Sequence, residues 1–593
     1  MAACGHEDDT PPASTPPATA QAFPGDGLGK TDVFGRALAG VAADYEADNT
    51  LSAKEQQLET DMAFRRQVAW EVVERVLDPV PLLGLADAAA SNEEIMLPEG
   101  EVPKVPRYQT WYGVDDFKRM FRELFERLGP QGRAARAPFT ATELDTIFAW
   151  NAEALDRSQR WPLERFLKYV KQLGVCPADT SEEDCAQSLQ SQFSGAAAGN
   201  TRIAYSPATI RHLLENYGAT LACLESLKTT GLNVPPTNPD QNFSACFDSE
   251  FPSDAVLIKA HWVRADFGRK LPAFDTHAEA LEDVIGEGRI ADWANGNREV
   301  DPSPDDIVTI QMKSGDTYRL AGFHIMTKEL RHWLWITLWW SDNPASDFGA
   351  DRPASLTKLD PVWGNYKMGV VVDYEEGDAN PGERYPNHPS LAAALQASTH
   401  EQSWLSNPYI EHGQGNARTN CVGCHQHGGS SVGHDLNGDG TLDPFDLEAV
   451  ISNETLFPNN GRSQQRSIFP ADYLWSTHRV DDLSDLIRSE VANFDNIDQN
   501  DPDIRALAIL ALEGDPGAGS GRFDKSCADC HGVDGAGTGA APSLFERVPM
   551  LDDPGLAEIL LLGRAPMPSW AHLENQELAH VIAYLRESFS TTP

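Results

Sequence analysis

The chain has 593 residues, 41% of them hydrophobic, and a formal net charge of -42 at pH 7. At roughly 150 residues per domain, this length accommodates three or four domains. Such a strong negative charge argues against nucleic acid and anionic membrane surfaces as partners and favours basic proteins. No stretch approaches the roughly 18 apolar residues that a membrane-spanning helix needs, so no such helix is predicted.

Residues 1–50 are predicted to be an anchor and a tether. The letters "AACG" around Cys4 resemble the end of a bacterial lipoprotein signal, which would make Cys4 the lipidated residue and the only contact with a membrane. The Pro/Ala/Thr-rich stretch "TPPASTPPATAQAFPGDG" follows and is typical of an extended spacer. The alternative is an ordinary start with an unmodified cysteine, because the charged and apolar parts of a signal peptide are not present.

Residues 51–245 are predicted to be helical. Four segments repeat apolar residues at intervals of three or four, and Thr140 and Ser206 are predicted N-caps. The four segments are "EQQLETDMAFRRQVAWEVVERVL", "VDDFKRMFRELFERLG", "TATELDTIFAWNAEAL" and "SPATIRHLLENYGATLACLESL".

Four cysteines fall close together in the first half of the chain, and an even set of this kind predicts two disulfides in an oxidising compartment. Three pairings are open, of which the pairing by proximity in sequence joins 176 to 185 and 223 to 246. The alternative is four buried thiols. The cysteines are Cys176, Cys185, Cys223 and Cys246.

Residues 246–385 are predicted to be a β-rich, sandwich-like domain. "AVLIKAHWVRA" alternates apolar and polar residues, and "DIVTIQMKSGDTYRLAGFHIM" predicts a hairpin that turns at residues 314–316. "HWLWITLWWSD" and "YKMGVVVDY" are typical of buried strands, and no enzyme motif occurs in the region. Four tryptophans are assigned to its core: Trp333, Trp335, Trp339 and Trp340.

The pentapeptide Cys-x-x-Cys-His occurs twice. Two thiols one helical turn apart can add to the two vinyl groups of one haem, and the adjacent histidine then faces the iron, so the pattern predicts c-type haem attachment. A zinc site or a redox dithiol are the alternatives, but each zinc would need two further ligands. The residues are Cys421, Cys424 and His425 in the first copy, and Cys527, Cys530 and His531 in the second.

The second copy lies in residues 516–593, which resemble a class I c-type cytochrome domain over their whole length. "GRFDKSCADCHGVDGAGTG" matches the opening of that family and "NQELAHVIAYLRES" its closing helix. The resemblance implies that Pro542 orients His531 and that Met567, in "GRAPMPSW", is the distal thioether ligand, with Met550 as the rival. Ligation by His and Met raises the reduction potential and leaves no open site on the iron.

The first copy lies in residues 386–515, a predicted haem domain in which no methionine falls between His425 and the second motif. We expect His478 to be the distal ligand, because it precedes an amphipathic helix as Met567 does. Upstream residues such as His324 or His412 are the alternatives.

The acid-rich loop "DLNGDGTLDPFD" lies in the same predicted domain. It resembles the calcium loop of an EF-hand of the dockerin variety, with oxygen ligands at the expected positions and Gly440 at the sharp turn. A hydrated turn is the alternative. The predicted Ca²⁺ ligands are Asp435, Asn437, Asp439, Thr441 through its carbonyl, Asp443 and Asp446.

Together these patterns predict a multidomain α+β protein: a helical N-terminal region, a central β-rich region and mainly α-helical haem domains at the C-terminus. The predicted function is electron transfer by a periplasmic or otherwise extracytoplasmic cytochrome with two haem c groups and Ca²⁺, serving a redox partner with a basic docking face. One alternative is an enzyme, since the chain loosely resembles the bacterial dihaem cytochrome c peroxidases, and another is a haem-linked binding or sensing module. No catalytic residue is assigned.

Overall fold

The structure is a computed structural model that describes part of the chain. It describes residues 21–22, 41–81, 104–150, 180–182, 184, 201–230, 250–265, 270–276, 298–311, 317–372, 405–410, 421–425, 472, 474, 483–494, 502–537, 541, 543–548, 551, 553–562, 567 and 569–589.

The strands are β1 (Gln21–Ala22), β2 (Pro79–Pro81), β3 (Lys104–Pro106), β4 (Thr201–Tyr205), β5 (Val256–Arg264), β6 (Leu271–Ala273), β7 (Arg298–Val300), β8 (Thr309–Gln311), β9 (Thr317–Thr327), β10 (Leu334–Trp340) and β11 (Tyr366–Val371).

The main sheet is centred on strand β9. Strand β5 pairs with one edge of β9, while β10 and β8 share the other edge. Strands β4 and β11 extend the sheet beyond β5 and β10, and all of these pairings are antiparallel. Strand β1 lies parallel to β8, and β2–β3 and β6–β7 form two small separate sheets.

The predicted strands of the central region are confirmed. Their β-branched and aromatic residues form β5, β9, β10 and β11, and the expected hairpin pairs Gln311 of β8 with Thr317 of β9. The predicted turn at 314–316 lies outside the described residues. All four tryptophans assigned to the core are buried, with exposed fractions of 4% or less.

The helices are α1 (Glu55–Thr60), α2 (Met62–Leu77), α3 (Val114–Arg127), α4 (Gly129–Ala135), α5 (Ala141–Phe148), α6 (Pro207–Glu215), α7 (Tyr217–Thr230), α8 (Leu356–Leu359), α9 (Cys421–His425), α10 (Leu483–Asn493), α11 (Pro502–Leu510), α12 (Pro516–Ser526), α13 (Ala528–His531), α14 (Leu544–Arg547), α15 (Asp553–Leu562) and α16 (Asn575–Phe589).

The two predicted N-caps are confirmed. The hydroxyl of Thr140 accepts a hydrogen bond from the backbone N–H of Glu143 at the start of α5. The hydroxyl of Ser206 accepts one from the N–H of Thr209 at the start of α6. Each cap satisfies a donor that the first turn of a helix leaves without an intrahelical partner.

Helices cover both faces of the main sheet in the described part of the chain. Alternate residues of a strand point to opposite faces, so each face supplies its own hydrophobic core. Helix α2 packs on one face, where its valines meet residues such as Ile258, Phe323 and Ile336. The other face, which we call the motif face because α9 packs on it, carries Leu257, Met326 and Trp335 beneath α3, α6, α7, α9 and α10.

A third core belongs to the C-terminal helices. Helices α12 and α16 cross closely, α11 packs on α15, and Phe523 lies fully buried against the rings of Tyr584 and Phe589. This core already includes Ala506 and Leu507, upstream of the predicted boundary at residue 516. The core of the motif face likewise runs across the predicted boundaries after residues 245 and 385. The predicted multidomain α+β class, with helices at the C-terminus, is confirmed.

Candidate haem sites

The second Cys-x-x-Cys-His motif continues helix α12 through one more helical turn. The N–H of Cys527 donates to the carbonyl of Phe523 (2.8 Å), and the N–H of His531 donates to the carbonyl of Cys527 (2.9 Å). Cys527 and His531 are half-buried and Cys530 is exposed. Two thiols and an imidazole thus lie on one short turn at the domain surface, which fits covalent attachment of a haem.

Cys527 does not have the lowered pKa of a reactive thiol. Burial, and secondarily the neighbouring Cys530, raise the pKa of the Cys527 thiol to about 11. Reactive dithiols depend on a lowered thiol pKa, because the thiolate is the nucleophile. Neither cysteine is in a disulfide.

A glycine-rich turn fixes the chain directly after His531. Gly532, Gly535 and Gly537 have φ values of 82°, 70° and 91°, in the left-handed region that favours glycine. The N–H of Gly537 donates to the carbonyl of His531 (2.8 Å), which closes the turn on the motif. A Cβ atom on Gly535 would lie 2.2 Å from the ring of Phe589, so the turn packs tightly on α16.

Met567 lies half-buried on the same C-terminal core as Cys527. Two hydrogen bonds attach the chain just after Met567 to α15. The hydroxyl of Ser569 donates to the carbonyl of Leu561 (2.5 Å), and the N–H of Trp570 donates to the carbonyl of Leu560 (2.8 Å). A thioether on an anchored loop therefore shares a core with the attachment motif. Pro542 and Met550 lie outside the described residues.

The first motif forms helix α9 on the motif face of the sheet. Val422 is fully buried there, and Cys421 is half-buried against the same core. The ring of His425 lies against the indole of Trp335, with ring centroids 4.6 Å apart and an interplanar angle of 51°. The backbone of Cys424 belongs to α9, but its side chain is outside the described part of the structure.

The chain upstream of His478 is fixed to the same face. The fully buried carboxylate of Asp472 accepts hydrogen bonds from the ammonium of Lys328 (3.0 Å) and from the indole N–H of Trp333 (3.1 Å). Burial raises the pKa of Asp472, an effect that Lys328 opposes. Leu474 and Leu483, on either side of His478 in the sequence, both belong to the core of the motif face.

Several predicted residues lie outside the described part, and their assignments stay predictions. Cys223 is buried and disulfide-bonded, but its partner is not among the described residues. Within the described residues, no group of three or more His, Cys, Asp or Glu side chains could hold a metal ion. The predicted residues outside are Cys4, Cys176, Cys185, Cys246, His412, His478 and the calcium loop at 435–446.

Sequence reasoning missed the roles of two residues on the motif face. Trp335 was assigned to the core alone, although it also contacts His425, and Asp472 was not singled out. Both roles depend on packing between segments far apart in the chain, and neither leaves a local pattern that could have revealed it.

The comparison with protein families agrees with the geometry of the second motif. A model of the family described as cytochrome c oxidase, cbb3-type, subunit III matches residues 514–585. No curated protein and no solved structure matches the chain. The C-terminal region is therefore a c-type cytochrome domain, which implies haem c and haem-based electron transfer. Among the described helices, none has the length and apolar character needed to cross a bilayer.

Proposed function

We propose, with the C-terminal cytochrome c domain as the premise, that the protein is an exported dihaem c-type cytochrome that transfers electrons. Cys527 and Cys530 would hold one haem, with His531 as its proximal ligand and Met567 as its distal ligand. The first motif would hold the other haem through Cys421, Cys424 and His425. A bound haem supplies an iron that accepts and releases one electron, with a potential set by its axial ligands.

The observation that carries this proposal is that both pentapeptides form a helical turn anchored on a buried core. Val422 anchors the first turn on the sheet, and Ala528 anchors the second in the C-terminal domain. The proposed roles of the chain's own groups are to hold each haem at the edge of a packed core and to keep its ligands rigid. Rigid ligands would lower the reorganisation that an electron transfer requires, and a haem held by both His531 and Met567 would leave no open position for a substrate.

Export and calcium belong to the same proposal. A disulfide at Cys223 supports an oxidising compartment, and cytochrome domains of this type are usually extracytoplasmic. We propose that the loop at 435–446 binds Ca²⁺, because four carboxylates close together at neutral pH need a cation. Chelation should then shift the spectrum of the first haem and leave that of the second unchanged; absence of calcium by metal analysis would rule the site out.

The redox partner is proposed to have a basic docking face, because the chain has a net charge of -42. Attraction between opposite charges speeds association, and salt screens it. The test is stopped-flow mixing of the reduced full-length protein with a basic cytochrome c and, as a control, an acidic one.

We expect both haems to be oxidised, with a rate for the basic acceptor that falls at least tenfold as ionic strength rises from about 0.01 to 0.5 M. A protein that reacts with peroxide but not with protein acceptors would contradict the electron-transfer proposal. Equal rates with the two acceptors would contradict the basic docking partner.

A further inference from the structure

We propose that the side chains of Lys328 and Asp472 join in an isopeptide bond, an amide between Nζ of the lysine and Cγ of the aspartate. Lys328 directly follows strand β9, and Asp472 lies 144 residues further along the chain. The bond would tie the segment after the first motif covalently to the central sheet. It involves no haem, so it is independent of the proposed function.

The two reacting groups are in contact and shielded from water. Only 2% of the Lys328 side chain and 1% of the Asp472 side chain are exposed, and Nζ lies 3.0 Å from Oδ1. Because a carboxyl C–O bond is about 1.2 Å long, Nζ is at most about 4.2 Å from Cγ. The amine is therefore close to the separation of roughly 3–3.5 Å from which such groups react.

A second carboxyl group, that of Glu250, lies beside the amine. Its Oε2 atom is 3.3 Å from Nζ of Lys328, and its Oε1 atom is 3.8 Å from Nε of Arg331. The side chain of Glu250 is 28% exposed and keeps access to solvent. Burial, followed by the charge of Glu250, raises the pKa of Asp472, while Lys328 opposes this shift. Asp472 is thus the carboxyl suited to hold a proton, and Glu250 the one suited to accept a proton from the ammonium.

The indole of Trp333 completes the arrangement. Its N–H donates to Oδ1 of Asp472 (3.1 Å), and its ring centre lies 5.2 Å from Nζ of Lys328. When an amine attacks Cγ, negative charge develops on a carboxyl oxygen, and a donor already placed at that oxygen stabilises it. The carbonyl of Arg331 also accepts a hydrogen bond from Nζ (2.5 Å), which fixes the direction of the amine.

The reaction is a condensation and needs no oxidant. Glu250 takes a proton from the ammonium, the free amine attacks Cγ of the protonated Asp472, and one C–O bond breaks to release water. Of the four protons on the ammonium and the carboxyl, one stays on the amide nitrogen, two leave in the water, and one passes through Glu250 to solvent. The amide removes both charges from a dry site, where each ion is costly to bury.

A second buried lysine of the sheet lacks this arrangement and serves as the internal control. Nζ of Lys367 lies 2.8 Å from Oδ1 of Asp347, but this carboxylate is 17% exposed. A further partner of Lys367 is the hydroxyl of Thr276 (3.0 Å), which is too weak a base to deprotonate an ammonium. Lys367 should therefore keep its amine.

The test is tryptic peptide mapping of the full-length protein by mass spectrometry, after reduction of disulfides. An amide on Lys328 prevents cleavage after this residue. Peptides 320–331 and 467–479 should therefore be recovered as one species, lighter than their sum by one water. Trypsin should still cleave after Lys367. A wild type that is cleaved after Lys328 and yields peptide 467–479 alone would show an ordinary buried ion pair only and would overturn the proposal, whether or not any variant folds.

Two variants test the chemistry. Lys328→Arg keeps a cation at the site but cannot form this amide, so peptide 467–479 should be recovered alone. Glu250→Gln keeps the shape of the side chain but removes the base, and the joined fraction, followed at increasing times after expression, should grow about a hundredfold more slowly. The control Glu225→Gln, in an exposed pair with Arg136, should join at the wild-type rate. Joining at the wild-type rate in Glu250→Gln would overturn the role of Glu250.

Discussion

Gly519→Ala should destabilise the C-terminal domain although alanine favours helices. Gly519 lies in α12 where this helix crosses α16, and an ideal Cβ there would be 2.0 Å from the carbonyl oxygen of His580 and 2.7 Å from the Cβ of Tyr584. One of these atoms belongs to backbone, so the two helices must separate. Overpacking of this kind costs roughly 1–3 kcal/mol, and we expect the upper end because the approach is so close.

Gly521→Ala is the matched control, because a Cβ on Gly521 would meet nothing within 4 Å. Replacing glycine by alanine in a helix stabilises it by about 1 kcal/mol. Gly519→Ala should therefore lower the free energy of unfolding by a net amount of about 2 kcal/mol, and Gly521→Ala should raise it by about 1 kcal/mol. The difference of about 3 kcal/mol corresponds to a factor of more than about 100 in an equilibrium constant.

Hydrogen exchange of peptides from α16, followed by mass spectrometry on the full-length protein, measures this difference locally. Peptides from β9 serve as the internal reference, because β9 and this helix crossing belong to different hydrophobic cores. Equal protection of α16 in the two variants would show that the close crossing of α12 and α16 is wrong.

Three further predictions concern the second haem and the motif face. Met567→His should remove the weak thioether-to-iron charge-transfer band and lower the potential of that haem; persistence of the band would identify another ligand. Burial lowers the pKa of His212 from 6.5 to about 4. Between these pH values the unfolded chain binds a proton at His212 that the folded chain does not, so the free energy of unfolding should fall by about 3 kcal/mol as pH drops from 6.5 to 4. Urea titrations should show a shallower fall in the variant His212→Gln. Glu490→Gln leaves the buried guanidinium of Arg122 without its carboxylate partner and should lower the free energy of unfolding by about 3–5 kcal/mol, measured as faster hydrogen exchange in α10. The control Glu123→Gln removes the carboxylate of a more exposed pair on α3 and should change the free energy of unfolding by less than about 1 kcal/mol.

Local signals in the sequence predicted those parts of the fold that depend on nearby residues. The capping residues Thr140 and Ser206 start helices because a side-chain oxygen satisfies N–H groups only three residues away. The apolar face of the closing helix, Leu578 to Leu585, is buried as its spacing predicts. The second attachment motif was predictable for the same reason, since its two cysteines and its histidine lie within one turn.

The environment of the first motif could not be predicted because it is made by distant segments. Trp335 and His425 meet only when α9 packs on the sheet, and strand periodicity explains the burial of Trp335 without this contact. The buried pair of Lys328 and Asp472 likewise joins segments that share no local pattern. The sequence indicated a separate haem domain from residue 386, whereas Val422 belongs to the core that covers the central sheet.

The central claim is that one chain holds two covalently attached haems, and mass spectrometry of the denatured full-length protein tests it most directly. Thioether bonds survive denaturation, so the wild type should carry two haem additions. The paired substitutions Cys421→Ser with Cys424→Ser, and Cys527→Ser with Cys530→Ser, should each leave one. A wild type with a single haem, attached to the peptide that contains residues 527–531, would contradict haem attachment at the first motif. A wild type without haem would contradict haem attachment at both motifs.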